Sequence, residues 1–181
     1  MFSEQSISNI LALLTLLSHI FILIFLFIIV ANKFKPLGFI KKLFILISKN
    51  AVWLALIVAL AALAGSLFFS EIMGLAPCKL CWYQRIFIYP LTFILGLAWI
   101  IKDRLVWRYV RLLSLIGGAI AAYQYWLQLV PSSSQICSLD SLESCGQIIL
   151  FYYGYITIPL MSFTACLLIF ILGTIAAENN K

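Results

Sequence analysis

Four of the five cysteines in this 181-residue chain fall into two close pairs. The first pair lies in Pro77-Cys78-Lys79-Leu80-Cys81. Two cysteines at this spacing can bridge each other, and thiolates in such motifs are often stabilised. The neighbouring sequence favours negative charge on Cys81. A helix is expected to begin just after it, bringing a dipole and unsatisfied amides. Arg85 follows at i+4, Lys79 adds a solvated charge and Pro77 stiffens the approach. The pattern points to thiol–disulfide exchange, in which a thiolate attacks a disulfide sulfur and two electrons move. A static structural disulfide is the plain alternative. A zinc site shared with Cys137 and Cys145 is another, disfavoured by the long spacing of that pair and by an oxidising location.

Cys137 and Cys145 close a stretch that opens Pro131-Ser132-Ser133-Ser134-Gln135. This composition predicts a mobile, turn-rich start, with a short helix possible over 139–144. A disulfide here can meet a soluble partner and swing toward a fixed pair; a simple crosslink is the alternative. Cys166, inside the last apolar stretch, reads as a small core residue. A relay of two pairs needs a terminal acceptor. The chain has no dinucleotide fingerprint, no haem-type histidine pair and no flavin-sized soluble domain. An acceptor dissolved in the bilayer answers this, and a quinone fits. It is expected where Cys81 meets the membrane, among Trp82, Tyr83 and the neighbouring helices, with Arg85 at a quinone carbonyl. An arginine at the membrane edge is costly enough to mark a function, with snorkelling to the interface as the alternative.

The elements that hold these residues are membrane helices. Hydrophobic residues make up 65% and charged residues 10%, and mean hydropathy is +1.13. A soluble domain needs more charge than this to cover its surface. About 20 apolar residues cross a bilayer core of roughly 30 Å. Five stretches qualify: residues 10–31, 51–70, about 82–101 with Pro90 as a candidate kink, a fourth from 108–111 to 130, and 155–177. The fourth contains Gly117 and Gly118, and Gln124 and Gln128 near its far end. The fold class expected is an all-α membrane protein. The first stretch reads as a retained helix, too long for a signal-peptide core and without a cleavage-type site. Its His19 reads as a neutral, hydrogen-bonded histidine. Residues 39–49 read either as a short amphipathic helix along the interface or as an ordinary basic loop.

Charge sets the expected orientation. Lys33, Lys35, Lys41, Lys42 and Lys49 follow the first stretch, Lys102, Arg104, Arg108 and Arg111 follow the third, and Lys181 ends the chain. Only Lys79 and Arg85 fall on the other side. The positive-inside rule puts the larger set in the cytoplasm. The N-terminus and both cysteine loops are then extracytoplasmic and the C-terminus cytoplasmic. The net charge of +6 is thus a topology signal and not the mark of a nucleic-acid partner.

Cys78-Lys79-Leu80-Cys81-Trp82-Tyr83-Gln84-Arg85 resembles the signature of the DsbB family, the bacterial membrane disulfide oxidoreductases that re-oxidise DsbA-type thiol oxidases. Tyr155-Ile156-Thr157-Ile158-Pro159-Leu160-Met161-Ser162 resembles the start of that family's last membrane helix. The likeness covers roughly residues 51–177. It implies a four-helix quinone-reductase domain over 51–181, preceded over 1–50 by an additional membrane helix and a basic cytoplasmic loop. It further implies an inner-membrane location, a DsbA-like thioredoxin-fold partner, the membrane quinone pool (ubiquinone or menaquinone) and a route. The partner attacks the Cys137–Cys145 disulfide at Cys137, Cys145 attacks Cys78, and Cys81 leaves as a thiolate beside the quinone. Arg85 resembles the family's quinone-site arginine, and Tyr83 and Gln84 are carried with it, beside the Trp82 already placed at the membrane edge. Residues 147–153 match the amphipathic piece that lies on the membrane before the last helix. Two other functions stay open: an outward-directed electron carrier that keeps a thiol protein reduced, and a non-enzymatic scaffold with structural disulfides.

Overall fold

The protein is described here by a computed structural model covering residues 4–34, 38–103, 105–130, 148 and 150–178. Cys137 and Cys145, the helix expected over 139–144 and Lys181 lie outside the described residues. Five α-helices run among those described: α1 (Glu4–Phe34), α2 (Gly38–Leu67), α3 (Lys79–Ile101), α4 (Trp107–Leu129) and α5 (Ile158–Glu178). At about 1.5 Å per residue each is long enough to cross a bilayer core of roughly 30 Å. Four of them, α1, α2, α3 and α5, are apolar enough by composition alone. The remaining helix, α4, carries Arg108, Arg111, Gln124 and Gln128.

Helices α2 to α5 close into a ring in which α2 packs on α3, α3 on α4, α4 on α5 and α5 on α2. Helix α1 lies outside the ring against α5 and α2. The all-α bundle of four helices plus one is therefore the observed architecture. Without a hydrophobic drive between helices in lipid, close approach depends on small residues. Ala51, Ala55 and Ala59 form such a strip along α2, each fully buried against a cluster that includes Leu91, Leu95, Val110 and Ile169. Gly117 and Gly118 of α4 do the same against α5, where Cys166 is buried. Phe27 and Phe93, each 73% exposed, point outward to where lipid would be.

Two local features differ from the sequence expectation, and a third segment takes a form it left open. Residues 39–49 are neither a separate interfacial helix nor a loop. They are the first turns of α2, since no helix breaker stands between Gly38 and Gly65 and lysine and leucine both favour helix. Helix α3 starts at Lys79 rather than after Cys81, with Cys78 as its extended N-cap at φ −69° and ψ 170°. It continues unbroken through Pro90. The described part of 147–153 is not helical. Tyr152 and Ile156 exchange backbone hydrogen bonds of 2.9 and 2.8 Å around a tight turn. Tyr153 and Gly154 both take positive φ there, at 50° and 80°, as such turns require.

Two further connections position the site. Helix α2 gives way to a π-helical turn, Phe68–Ile72, closed by Met73 N–H on the Phe68 carbonyl at 3.1 Å. Gly74 follows at φ 65°. At the other end Lys102 caps α3 in the left-handed conformation, and Asp103 N–H reaches the Ala98 carbonyl at 3.1 Å. That cap makes α3 and α4 an antiparallel pair, and so sets the far end of α4 beside the start of α3.

The close approach at Gly117 yields a stability prediction. A Cβ there would lie 3.2 Å from Phe87 Cβ and 3.4 Å from Cys166 Sγ, whereas at Gly96 the nearest atom is Leu56 Cδ1 at 3.9 Å. Gly117→Leu is expected to destabilise the bundle by ~1–3 kcal/mol through overpacking. Gly96→Ala should leave it unchanged or slightly firmer. Thermal unfolding of both variants in detergent checks the contrast.

Candidate functional site

Cys78 caps α3 and Cys81 stands in its first turn, so both sulfurs sit at the positive end of the helix. Their sulfurs are 3.3 Å apart, beyond the ~2.05 Å of a disulfide bond and within reach of forming one. Helix geometry places Cys81, Gln84, Arg85 and Ile88 on one face, at i, i+3, i+4 and i+7. That face looks into the bundle.

Opposite stands Gln124 of α4, 3% exposed. Its Nε2 donates to Cys78 Sγ at 3.3 Å and to Cys81 Sγ at 3.4 Å. Its Oε1 accepts from Gln84 Nε2 at 2.6 Å, which orients the amide with its N–H groups toward the sulfurs. Donors are thus already aimed at the atoms where negative charge forms during exchange.

Arg85 lies one turn deeper. Its Nε donates to Ser66 Oγ and its Nη2 to the Ser66 carbonyl, both at 3.0 Å. The carbonyl belongs to the C-terminal end of α2, where a cation is favoured. Ser66 Oγ is also 3.4 Å from the Tyr89 hydroxyl. The Arg85 guanidinium lies 5.2 Å from the Trp82 ring centroid, close enough for a cation–π contact.

These groups open onto a cavity of about 380 Å³ inside the bundle. Cys78, Cys81, Gln84, Arg85 and Gln124 all line it, while most of its surface is apolar. Ser162 of α5 also lines it, and its hydroxyl oxygen is buried with no hydrogen-bond partner among the described residues. Walls mostly apolar with a few convergent polar groups are what a small-molecule site requires.

The residues expected from sequence therefore divide. Cys78, Cys81, Gln84 and Arg85 are brought together around the cavity. Trp82 and Tyr83, 55% and 52% exposed, face outward and do not line it; only the Trp82 ring edges back toward Arg85. Gln124 and Ser162 were not picked out from the sequence as site residues. Gln124 carried a signal, since a glutamine in an apolar span needs a buried partner, but its partner was not readable. Ser162 carried none.

Comparison with known proteins bears on most of the chain. Residues 48–176 match the family described as Disulfide bond formation protein DsbB. The SPbeta prophage-derived disulfide bond formation protein B of Bacillus subtilis (strain 168) is 49% identical over 109 residues, 60% of this chain and 73% of that protein. Disulfide bond formation protein C of the same strain is 44% identical over 115 residues, 64% of this chain and 83% of its own length. A probable disulfide formation protein C 2 of Bacillus anthracis is 42% identical over 140 residues, 75% of this chain and 99% of that protein. No solved structure matches.

The Gln124 contacts can be tested by themselves. Gln124→Leu removes both donors to the sulfurs and strands Gln84. Hydrogen bonds to charged groups contribute ~1.5–3 kcal/mol, so alkylation of Cys81 at neutral pH is expected to slow by ~10-fold or more. Mass-spectrometric timing of iodoacetamide labelling reads this directly, and an unchanged rate contradicts it.

Proposed function

The chain belongs to the DsbB family, and from that premise we propose that it takes electrons from an extracytoplasmic DsbA-like thioredoxin-fold thiol oxidase and delivers them to a membrane quinone. Family and apolar helices together make it a multi-pass membrane disulfide oxidoreductase. The observation that carries the quinone reading is the opening of Cys81 directly onto a cavity within the bundle.

The donor set around that cavity fits a quinone. The Arg85 guanidinium spends two of its five N–H groups on Ser66, which leaves three for a carbonyl oxygen. Ser162 offers a hydroxyl with no partner among the described residues. The remaining walls suit a flat, apolar ring. A bound quinone supplies an acceptor of two electrons and two protons.

The chain's own residues do the rest. The partner's thiolate attacks Cys137, which breaks the Cys137–Cys145 bond and forms a mixed disulfide. Cys145 then attacks Cys78, and Cys81 leaves as a thiolate held by the Gln124 amide and the start of α3. The partner's second thiol resolves its bond to Cys137 and departs as the disulfide product. Cys137 next displaces Cys78 from Cys145, restoring the loop disulfide and leaving a Cys78–Cys81 dithiol. Every exchange breaks one S–S bond and makes another. Two electrons and two protons leave the chain when the Cys78–Cys81 disulfide re-forms. Arg85 binds and orients the acceptor's oxygen beside Cys81, and the apolar walls exclude water.

Charge supports the orientation. Lys42 and Lys49 in the first half of α2, Lys102 after α3 and Arg108 and Arg111 in the first turns of α4 gather at the end away from Cys78. Cations concentrate on the cytoplasmic side, so the cysteine end faces outward in this reading.

Purified protein with a reduced DsbA-like partner and a quinone tests the proposal. The wild type is expected to reduce quinone, and Cys78→Ser, Cys81→Ser, Cys137→Ser and Cys145→Ser each to abolish it. Normal turnover by Cys81→Ser would defeat the mechanism. Arg85→Gln is expected to raise the KM for quinone ~10-fold or more, from the loss of charged hydrogen bonds, with the KM for the partner unchanged.

A further inference from the structure

Helix α1 lies outside the family match, which begins at residue 48, yet it is built into the site. Ser8, Ala12, Thr15, Ile22 and Phe25 form one buried stripe along it, while Leu13, Leu17, Ile20 and Phe27 on the other faces are exposed. The helix is seated at three levels. Near one end the Tyr152 hydroxyl donates to Ser8 Oγ at 2.8 Å. Near the other, the Phe25 and Phe44 rings lie 5.5 Å apart. Between them His19 Nε2 meets Thr164 Oγ1 at 2.8 Å and His19 Nδ1 meets the Tyr155 hydroxyl at 3.1 Å.

The His19 contacts assign their own protons. Thr164 has one hydroxyl hydrogen, and it goes to the Leu160 carbonyl at 2.8 Å. His19 Nε2 must therefore carry the proton and donate to Thr164. Nδ1 then accepts from Tyr155. A neutral imidazole satisfies both hydroxyls, which is the affordable form for a histidine in an apolar span. Stacking of the His19 and Tyr155 rings, 5.7 Å between centroids, adds to the grip.

Between the Ser8 and His19 levels, Leu11, Leu14, Thr15 and Ser18 line the same cavity as Cys81 and Arg85. Thr164 lines it as well while holding His19. One side of the cavity is thus walled by α1, and a single threonine is both wall and latch.

We propose that α1 completes the quinone-binding cavity, and that His19, acting through Thr164, is the positioning residue that holds this wall in place. The inference rests on the quinone reading above and adds a helix to it. A four-helix bundle alone leaves that side of the cavity to lipid. With α1 in place, Leu11 and Leu14 offer apolar contact to the ring or the first part of its tail.

Photolabelling of the full-length protein in lipid nanodiscs with an azido-benzoquinone analogue tests this without relying on turnover. Label that unlabelled quinone competes away is expected on the segment 11–18 as well as on α3. Competable label on α3 or α5 with none on α1 overturns the inference and leaves the proposed function standing. No competable label anywhere overturns both. The latch is read separately by quinone quenching of tryptophan fluorescence. His19→Ala is expected to weaken quinone affinity ~10-fold, a loss on the scale of one buried hydrogen bond, and His19→Gln, which keeps an N–H near Nε2, to restore most of it. Equal affinity in the wild type and His19→Ala removes His19 from its role.

Discussion

The amide of Gln124 stands between two partly buried cysteine sulfurs and a second buried amide, Gln84, and a buried amide is costly unless its donors and acceptor are paired. Because its oxygen is held by Gln84, its N–H groups face Cys78 and Cys81. Turning it would place an oxygen lone pair against each sulfur and leave two N–H donors against another amide. The contact therefore fixes the register of α3 against α4 as well as the environment of the thiols. The short left-handed cap at Lys102 makes it possible, since it folds α4 back along α3 and brings the far end of one helix level with the start of the other.

The bundle is packed unevenly, and the unevenness has a consequence. Away from the cysteines, alanines of α2 and the large side chains Leu91, Leu95, Val110 and Ile169 fill the interior. Toward the cysteines the interior opens into a cavity. The π-helical turn at Phe68–Ile72 follows directly on the end of α2, where the Ser66 carbonyl accepts from Arg85. Charge enters the apolar interior only where it is anchored. Arg85 is tied to α2 by two hydrogen bonds, so its remaining donors are held in place before any ligand arrives. Such preorganisation is what makes an electrostatic contact effective in a site that excludes water.

Much of this was legible in the residues. The five long helices, four of them apolar enough to cross a membrane, the cysteine pair at a helix start and Arg85 one turn later follow from hydropathy and spacing. The division between Trp82–Tyr83 and Gln84–Arg85 was legible in principle, because neighbours on a helix point about 100° apart and only one face can look inward with Cys81. What the sequence withheld was which helix faces which. Gln124 announced a buried partner without naming it, and His19 announced a hydrogen bond whose acceptor, Thr164, lies on the most distant helix. Continuity of residues 38–67 as one helix was hidden by its lysines, which read as a loop charge when they are the solvated end of a long span.

The central claim is that the Cys78–Cys81 pair, and no other group in the chain, hands electrons to the acceptor. Anaerobic single-turnover spectroscopy tests it most directly. A Cys137→Ser, Cys145→Ser double variant, reduced and freed of reductant, is mixed with quinone in the absence of any partner. The account predicts that one quinone is reduced per chain as the Cys78–Cys81 disulfide forms. Quinone that stays oxidised while both thiols remain reduced would contradict it.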